Sequence, residues 1–418
     1  MKSPKPTSGH AGKKHEAKHG RCAGNKEPIL RTVRVLQVVS ALGIGGAETW
    51  LLELVKYAKT HESLNGIKLE VDIFLTGEDK GALESEFERL GATLIRGRFG
   101  RSNLLGFTKS FRRALRQNKY DAIHDHQDNI AGLHFLAGAG LLPPVRVAHV
   151  HNSPIHLESY ASSPARKATV MAGRYWLRRL GTHVLGTSGQ LLGEYGFYGP
   201  NFSSLTVMPL YCGIDPALFA QAHEASKKEV VSELNLPHDA KIALFVGRLD
   251  SNQNQKNPLF ALKTAREAMK REQRLCFLMV GVRGKFGSEL EGMVARWEAA
   301  PNIRILGPRR DVPRLMAAAD VLLAPSFQEG LGMVIVEAQA AGLPVLASDL
   351  IPRECEVVPG IVEFLPLQAG VEQWANHLLE IVRQKRPDGR ESNRRMADSP
   401  FSIENSAKNL MKIYAAVE

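Results

Sequence analysis

The sequence predicts an α/β protein made of two successive α/β modules with a crevice between them. Three observations carry this expectation. Short apolar, β-branched runs alternate with helical patterns in two successive series, divided near residue 211. A length of 418 residues exceeds what one hydrophobic core ordinarily organises, so two domains are expected. Residues 324–349 read as a strand end, a glycine-bearing loop, a helix and a second strand, with Glu329 in the loop and Glu337 in the helix.

That last stretch carries the chemistry. A loop that opens a helix presents unpaired N–H groups, which favour an anion. Gly330 and Gly332 permit close approach and unusual dihedrals. A bare phosphate would not call for two carboxylates nearby, whereas paired hydroxyls are good donors to a carboxylate. The pattern therefore suits a ligand with both phosphate and sugar. One glutamate alone would read as an ordinary solvated residue; the whole stretch does not.

Composition narrows the function classes. Apolar residues are 44% and charged residues 23%, the balance of an ordinary globular protein. No run of eighteen apolar residues predicts a spanning helix, and residues 1–28 lack the apolar centre of a signal peptide. Those residues hold seven Lys/Arg against two Glu, +5 of the formal +11, so residues 1–30 read as a basic disordered tail. The other +6 is spread over the rest, notably along residues 104–117 and 171–180. Such faces suit water, an anionic membrane surface or a phosphorylated substrate. Nucleic acid is not expected, for want of a motif. Cys22, Cys212, Cys276 and Cys355 lack metal-ligand spacing and fit a reducing compartment. A cytoplasmic protein, with peripheral contact at the inner face of the cytoplasmic membrane, is the expectation.

In the first half, a strand over 33–39 leads into Ser40-Ala41-Leu42-Gly43-Ile44-Gly45-Gly46-Ala47-Glu48 and a helical pattern over 49–57. The N–H groups of Gly45 and Gly46 suit a diphosphate or sugar, although neither the dinucleotide fingerprint nor the P-loop spacing is present. A plain tight turn is the competing reading. Strands follow at 69–75, 93–96 and 120–124, with helices at 81–90, 104–117 and 130–139. Two histidine groups, His124 with His126 and His149 with His151, fall beyond the carboxyl ends of successive strands. Open α/β sheets bind ligands there. Metal ligation ranks below a direct polar role, because no Cys or Glu completes a recognisable set. Pro154 and Pro164 make residues 154–169 read as a polar loop.

In the second half, a strand over 242–246 ends at Gly247-Arg248-Leu249-Asp250, with Lys256 shortly after. The fixed fork of Arg248 and the mobile charge of Lys256 suit two linked phosphates in a leaving group. A strand over 275–280 closes in Gly281-Val282-Arg283-Gly284. A helix over 371–383, a Pro/Gly/Arg-rich linker and a terminal helix over 402–415 complete the chain.

With these residues in place, the chain resembles the retaining glycosyltransferases of family 4, closest to bacterial enzymes of capsular and exopolysaccharide synthesis. The motif Glu329-Gly330-Leu331-Gly332 through Glu337-Ala338 carries the resemblance, supported in order by Gly45-Gly46-Ala47-Glu48, Gly247-Arg248-Leu249 and Lys256-Asn257. It spans residues 31–416. Cys212 departs from the family's usual Asn-Gly-Val-Asp turn, and the polar residues 251–255 separate Arg248 from Lys256.

The resemblance implies a GT-B fold, two Rossmann-like domains facing each other across a donor/acceptor cleft. Residues 31–210 would form the acceptor side, 211–395 the nucleotide-sugar side, and 396–418 a terminal helix packing back on the first domain. It implies hexosyl transfer from a nucleoside-diphosphate sugar, UDP favoured over GDP, to a saccharide, glycoside or lipid-linked hydroxyl. No cofactor is implied and, with no Asp-x-Asp motif, no metal. Arg248 and Lys256 fall to the diphosphate, Glu337 to the ribose and Glu329 to the donor sugar. Backbone N–H groups near Gly46 and from Gly330, Leu331, Gly332 and Met333 fall to phosphate or sugar. His126 takes the active-site histidine position, His151 is its neighbour, and Arg283 approaches the base or phosphates. Front-face substitution is the implied route to retention; Asp125 or Asp128 as a nucleophile is the weaker alternative. A sugar-nucleotide epimerase, a sugar phosphorylase and a noncatalytic nucleotide-sugar binding protein are the competing readings.

Overall fold

The computed structural model describes Met1 and residues 31–415, apart from 62, 64–65, 155–162, 222, 250–254, 283 and 299. The expected tail at 1–30 therefore lies, Met1 aside, outside the described residues. Two parallel sheets organise the rest. The first holds β1 (Arg31–Val39), β2 (Ile67–Leu75), β3 (Thr93–Arg96), β4 (Ala122–Asp125), β5 (Val145–Val150), β6 (His183–Gly186) and β7 (Thr206–Pro209), in the order β3-β2-β1-β4-β5-β6-β7. The second holds β8 (Lys241–Val246), β9 (Leu275–Val280), β10 (Ile303–Gly307), β11 (Val321–Ala324), β12 (Val345–Ser348) and β13 (Val362–Leu365), in the order β10-β9-β8-β11-β12-β13. Both sheets reverse direction of winding beside their first strand, which opens a crevice at the carboxyl ends.

Helices cover both faces of each sheet, so strands such as β8 and β9 are nearly continuous in apolar residues. The first domain uses α1 (Gly46–Thr60), α2 (Glu84–Arg89), α3 (Leu104–Gln117), α4 (Ala131–Gly138), α5 (Pro164–Leu180) and α6 (Gly189–Glu194). The second uses α7 (His223–Glu233), α8 (Pro258–Met269), α9 (Lys285–Val294), α10 (Val312–Ala318), α11 (Met333–Ala340), α12 (Gly370–Arg383) and α13 (Gly389–Asp398). Strand alternation splits each core in two. Val33 and Val35 of β1 join Trp50 and Leu54 on one face, while Leu36 and Val38 join Phe107, Phe111 and Phe135 on the other.

The chain ends in α14 (Ile403–Ala415), whose Ala407, Leu410, Met411 and Tyr414 are buried in the first-domain core beside α1. The returning chain runs alongside the outgoing one: Ile214 N–H donates to the Phe401 carbonyl at 2.9 Å and Ile403 N–H to the Ile214 carbonyl at 2.7 Å.

Two local expectations are corrected. Pro164 does not oppose regular structure; it is the first residue of α5, where its missing N–H costs nothing, and the Ser163 hydroxyl caps the helix by accepting from Arg166 N–H at 3.3 Å. The Pro/Gly/Arg-rich linker contains α13, which spans both sides of residue 395 and buries Met396 in the second-domain core. After the crossing between the domains, α7 buries Ser226 and Val230. Among the described residues no helix is long and apolar enough to cross a membrane.

Leu410 is fully buried in the first-domain core. Leu410→Ala is expected to destabilise the protein by about 2–5 kcal/mol, read from urea denaturation; a loss below about 1 kcal/mol would mean that α14 is only loosely attached.

Candidate active site between the two domains

On the second domain, β11 ends at a loop that opens α11, whose N-cap is Gly332 at φ +94°, a left-handed conformation that favours glycine. The first-turn N–H groups of α11 have no capping side chain. Glu329 is buried, accepts from the Ser326 hydroxyl at 2.8 Å and forms an ion pair with Lys256, Nζ to Oε1 2.6 Å. The Cγ of Lys256 lies only 3.1 Å from where a side chain at Gly247 would begin. Lys256 therefore lies beside the Gly247-Arg248 backbone despite the polar segment between them. Glu337 sits about one turn into α11, half-buried, and burial pushes its carboxyl up to about 7 while the Lys256 charge opposes the shift. Leu331 is buried, and Met333 packs against the cores of both domains. Arg283 lies outside the described residues.

On the first domain, Gly46 opens α1 with its Cβ position unobstructed, whereas Gly45 is covered by the Glu48 carboxylate. Burial raises the Glu48 carboxyl, and the Arg248 guanidinium of the other domain opposes it. Four imidazoles extend from β4 and β5 and the residues just beyond. His126 Nδ1 lies 2.9 Å from His151 Nε2, and His126 Nε2 lies 2.8 Å from Gln37 Oε1. His124 Nε2 lies 3.2 Å from His149 Nδ1, and His124 Nδ1 lies 2.6 Å from the Tyr414 hydroxyl. Trp50 packs against all four rings with centroids 5.5 to 6.4 Å apart. Burial holds His124, His126 and His149 well below the usual imidazole range, and His151 at about 4, so all four are neutral near pH 7.

Neutral imidazole also suits a metal. The ring nitrogens of His124, His126 and His149 lie within 4.8 Å of one another. These rings are already bonded to one another, to Tyr414 and to Gln37. Asp125 is committed to His134 Nδ1 at 2.6 Å and to Gln127 N–H at 3.0 Å. Asp128, raised to about 6 by burial, accepts from His151 N–H and the Asn152 amide.

The two walls touch. A side chain at Gly330 would begin 2.3 Å from the His151 carbonyl oxygen, so only glycine lets the loop approach the end of β5. The Ser188 hydroxyl donates to the Gly330 carbonyl at 2.7 Å. Glu354 of the second domain accepts from Gly189 N–H at 2.8 Å, Gln190 N–H at 2.9 Å and the Tyr211 hydroxyl at 3.0 Å. The structure thus gathers Lys256, Glu329 and Glu337 on one wall, His126 and His151 on the other, with Gly330 at the meeting point. Sequence reasoning missed Gln37, Trp50, Tyr414 and Glu354. Gln37 left a trace, a polar residue inside the apolar run from Val35 to Val39; the other three look like ordinary core or surface positions.

Comparison with known proteins agrees with this arrangement. Residues 44–218 match the family described as Glycosyltransferase Family 4, and residues 240–384 the family described as Glycosyl transferases group 1. The chain is 29% identical over 383 residues to the putative glycosyltransferase EpsF of Bacillus subtilis (strain 168), covering 91% of this chain and 96% of that one. It is 25% identical over 292 residues to the UDP-Gal:alpha-D-GlcNAc-diphosphoundecaprenol alpha-1,3-galactosyltransferase of Escherichia coli, covering 66% and 70%. The crystal structure of Anabaena HepE in complex with UDP and glucose superposes with a TM-score of 0.71 at 18% identity, over 92% of this chain and all of that one. With its two parallel sheets and the cleft between them, the chain belongs to the family-4 glycosyltransferases of GT-B fold, enzymes that transfer a sugar from a nucleoside-diphosphate sugar to an acceptor.

Proposed function

We propose that the enzyme moves a hexosyl group from a UDP-sugar to a saccharide hydroxyl, with retention, during assembly of a polysaccharide or glycoconjugate. The observation that carries this reading is the meeting of the Glu329-to-Met333 loop with the His151 end of β5. It brings a lysine–carboxylate pair and a helix N-terminus without a side-chain cap opposite His126 and His151. HepE, with UDP and glucose, supports the choice of donor.

In this reading Glu337 accepts from the ribose hydroxyls, and Arg248, Lys256 and the opening N–H groups of α11 stabilise charge on the departing diphosphate. Lys256 has three donors, so it can hold Glu329 and a phosphate oxygen together. Glu329, already oriented by Ser326 and Lys256, accepts from donor-sugar hydroxyls. The bond from the anomeric carbon to the phosphate oxygen breaks, the bond to the acceptor oxygen forms on the same face, and the acceptor proton passes to the leaving phosphate. A covalent glycosyl-enzyme would need a free carboxylate on the opposite face. Asp125 and Asp128 are engaged elsewhere, which favours front-face substitution.

The acceptor side adds a surface. α3, α4 and α5 pack side by side over one face of the first sheet and carry nine Lys/Arg and no Asp/Glu. Leu105 is 88% exposed and Met171 70%, with Leu104 and Tyr175 also outward. Exposed apolar residues amid basic charge suit an anionic lipid surface, and hence a lipid-linked acceptor, the substrate type of the Escherichia coli relative.

Glu337→Gln is expected to weaken UDP binding about tenfold or more, while Glu329→Gln leaves UDP affinity nearly unchanged and lowers turnover. Because burial holds Glu337 near 7, its accepting carboxylate form fills as pH rises through neutrality. UDP affinity should therefore rise from about pH 6 to about pH 8, and Glu337→Gln should flatten that rise. Calorimetry checks both; equal behaviour of the two variants would remove the division of roles. Full-length protein should float with anionic vesicles and not with neutral ones, and the Arg113→Glu/Arg116→Glu pair should cut binding about tenfold or more. Flotation indifferent to lipid charge would leave the acid-free face without a lipid role.

A further inference from the structure

The four-histidine seam contains more order than contact with a donor sugar requires. Gln37 and Tyr414 are fully buried, and they join β1 to the last helix of the chain across 377 positions of sequence. Gln37 Nε2 donates to the Tyr414 oxygen at 3.0 Å, so the single Tyr414 hydroxyl proton must go to His124 Nδ1, 2.6 Å away. His124 then carries its proton on Nε2 and donates to His149 Nδ1. On the other branch, Gln37 Oε1 can only accept, so His126 carries its proton on Nε2. His126 Nδ1 is left with a lone pair and accepts from His151 Nε2–H. His151 Nδ1 is therefore unprotonated, on a half-exposed residue next to the donor loop at Gly330.

One amide sets every proton. A neutral histidine network without an ionised partner has two directions of equal count, and reversing Gln37 would reverse all of them. We propose that Gln37 and Tyr414 are positioning residues for sugar transfer: together they fix the tautomers of His126 and His151, so that the seam presents a lone pair rather than an N–H at the His151 end. This rests on the reading that His126 and His151 face the reacting sugars. Depressed basicity of all four rings agrees with it, since an imidazolium would erase the direction. Trp50 supports the same arrangement by filling the space over the rings, and its Nε1–H is occupied by the Ser406 hydroxyl at 3.1 Å on the terminal helix. The end of the chain is thereby part of the machinery of the first domain.

The test is long-range proton–nitrogen correlation on protein labelled with nitrogen-15 histidine, with His126→Ala used for assignment. The expected result is a neutral Nε2–H tautomer for His126 and for His124 near pH 7. Tyr414→Phe, nearly the same shape, removes the hydroxyl that holds Gln37; Gln37→Leu removes the amide. Both should mix the His126 tautomers and lower kcat about tenfold while donor KM stays within about twofold. Leu410→Ala, on the same helix but outside the network, should lower stability and leave tautomers and kcat per folded molecule unchanged. A wild-type His126 protonated on Nδ1, or both network variants keeping tautomer and kcat, would overturn the proposal. Undiminished turnover by His126→Ala would instead sink the reading of the site, and the tautomer measurement would still report on the seam.

Discussion

Buried polar groups must find partners, and in this protein that requirement shapes the first domain. β1 places Gln37 on the same face as Val33 and Val35, under α1, where water cannot reach it. β4 and β5 place His124 and His149 on that face, also fully buried. Each unpaired group would cost about 1–3 kcal/mol. Tyr414 partners two of these residues, and it comes from the far end of the chain. The crossing of the chain back from the second domain is therefore tied to the chemistry of the first sheet as well as to its apolar core.

The same crossing brings the domains into contact. The paired strands of backbone at Ile214 and Phe401 to Ile403 form a two-stranded link. On the cleft side, Glu354 accepts from two first-domain N–H groups, Gly189 and Gln190, and from the Tyr211 hydroxyl at the crossing, and Ser188 holds the Gly330 carbonyl. Met333 adds apolar contact with both cores. The Glu354 and Ser188 contacts are polar, the kind that permits relative motion of domains. A cleft that must admit a donor and then exclude water benefits from contacts of that size.

Within the cleft, electrostatics are arranged before any ligand arrives. Lys256 is paired with Glu329 rather than left alone, which keeps a positive charge beside the open N-terminus of α11 without an uncompensated buried ion. Glu337 bears the opposite burden: burial raises its carboxyl, and the nearby lysine limits the rise. Two carboxylates eight positions apart in the chain thus have different environments, one ion-paired at the loop and one half-buried in the helix.

Much of this was legible in the sequence because it is local. Alternating apolar runs and helical periods predicted both parallel sheets, and the spacing of glycines and glutamates from Glu329 to Glu337 identified the loop-to-helix unit. Where local rules misled, the cause was equally local: Pro164 breaks a helix interior but starts one comfortably, and charged, glycine-bearing residues 384–401 hide one helix turn after another whose apolar contacts are sparse. The tertiary structure alone decided which distant residues share a bond. Nothing in sequence links Gln37 to Tyr414, or Glu354 to Gly189, since pairing across 377 or 165 positions depends on how strands order within a sheet and where the chain crosses back. Residue type and spacing determined the two α/β halves and the chemical character of the cleft; the direction of its hydrogen bonds was decided only by packing, because a hydrogen bond depends on the orientation of both partners.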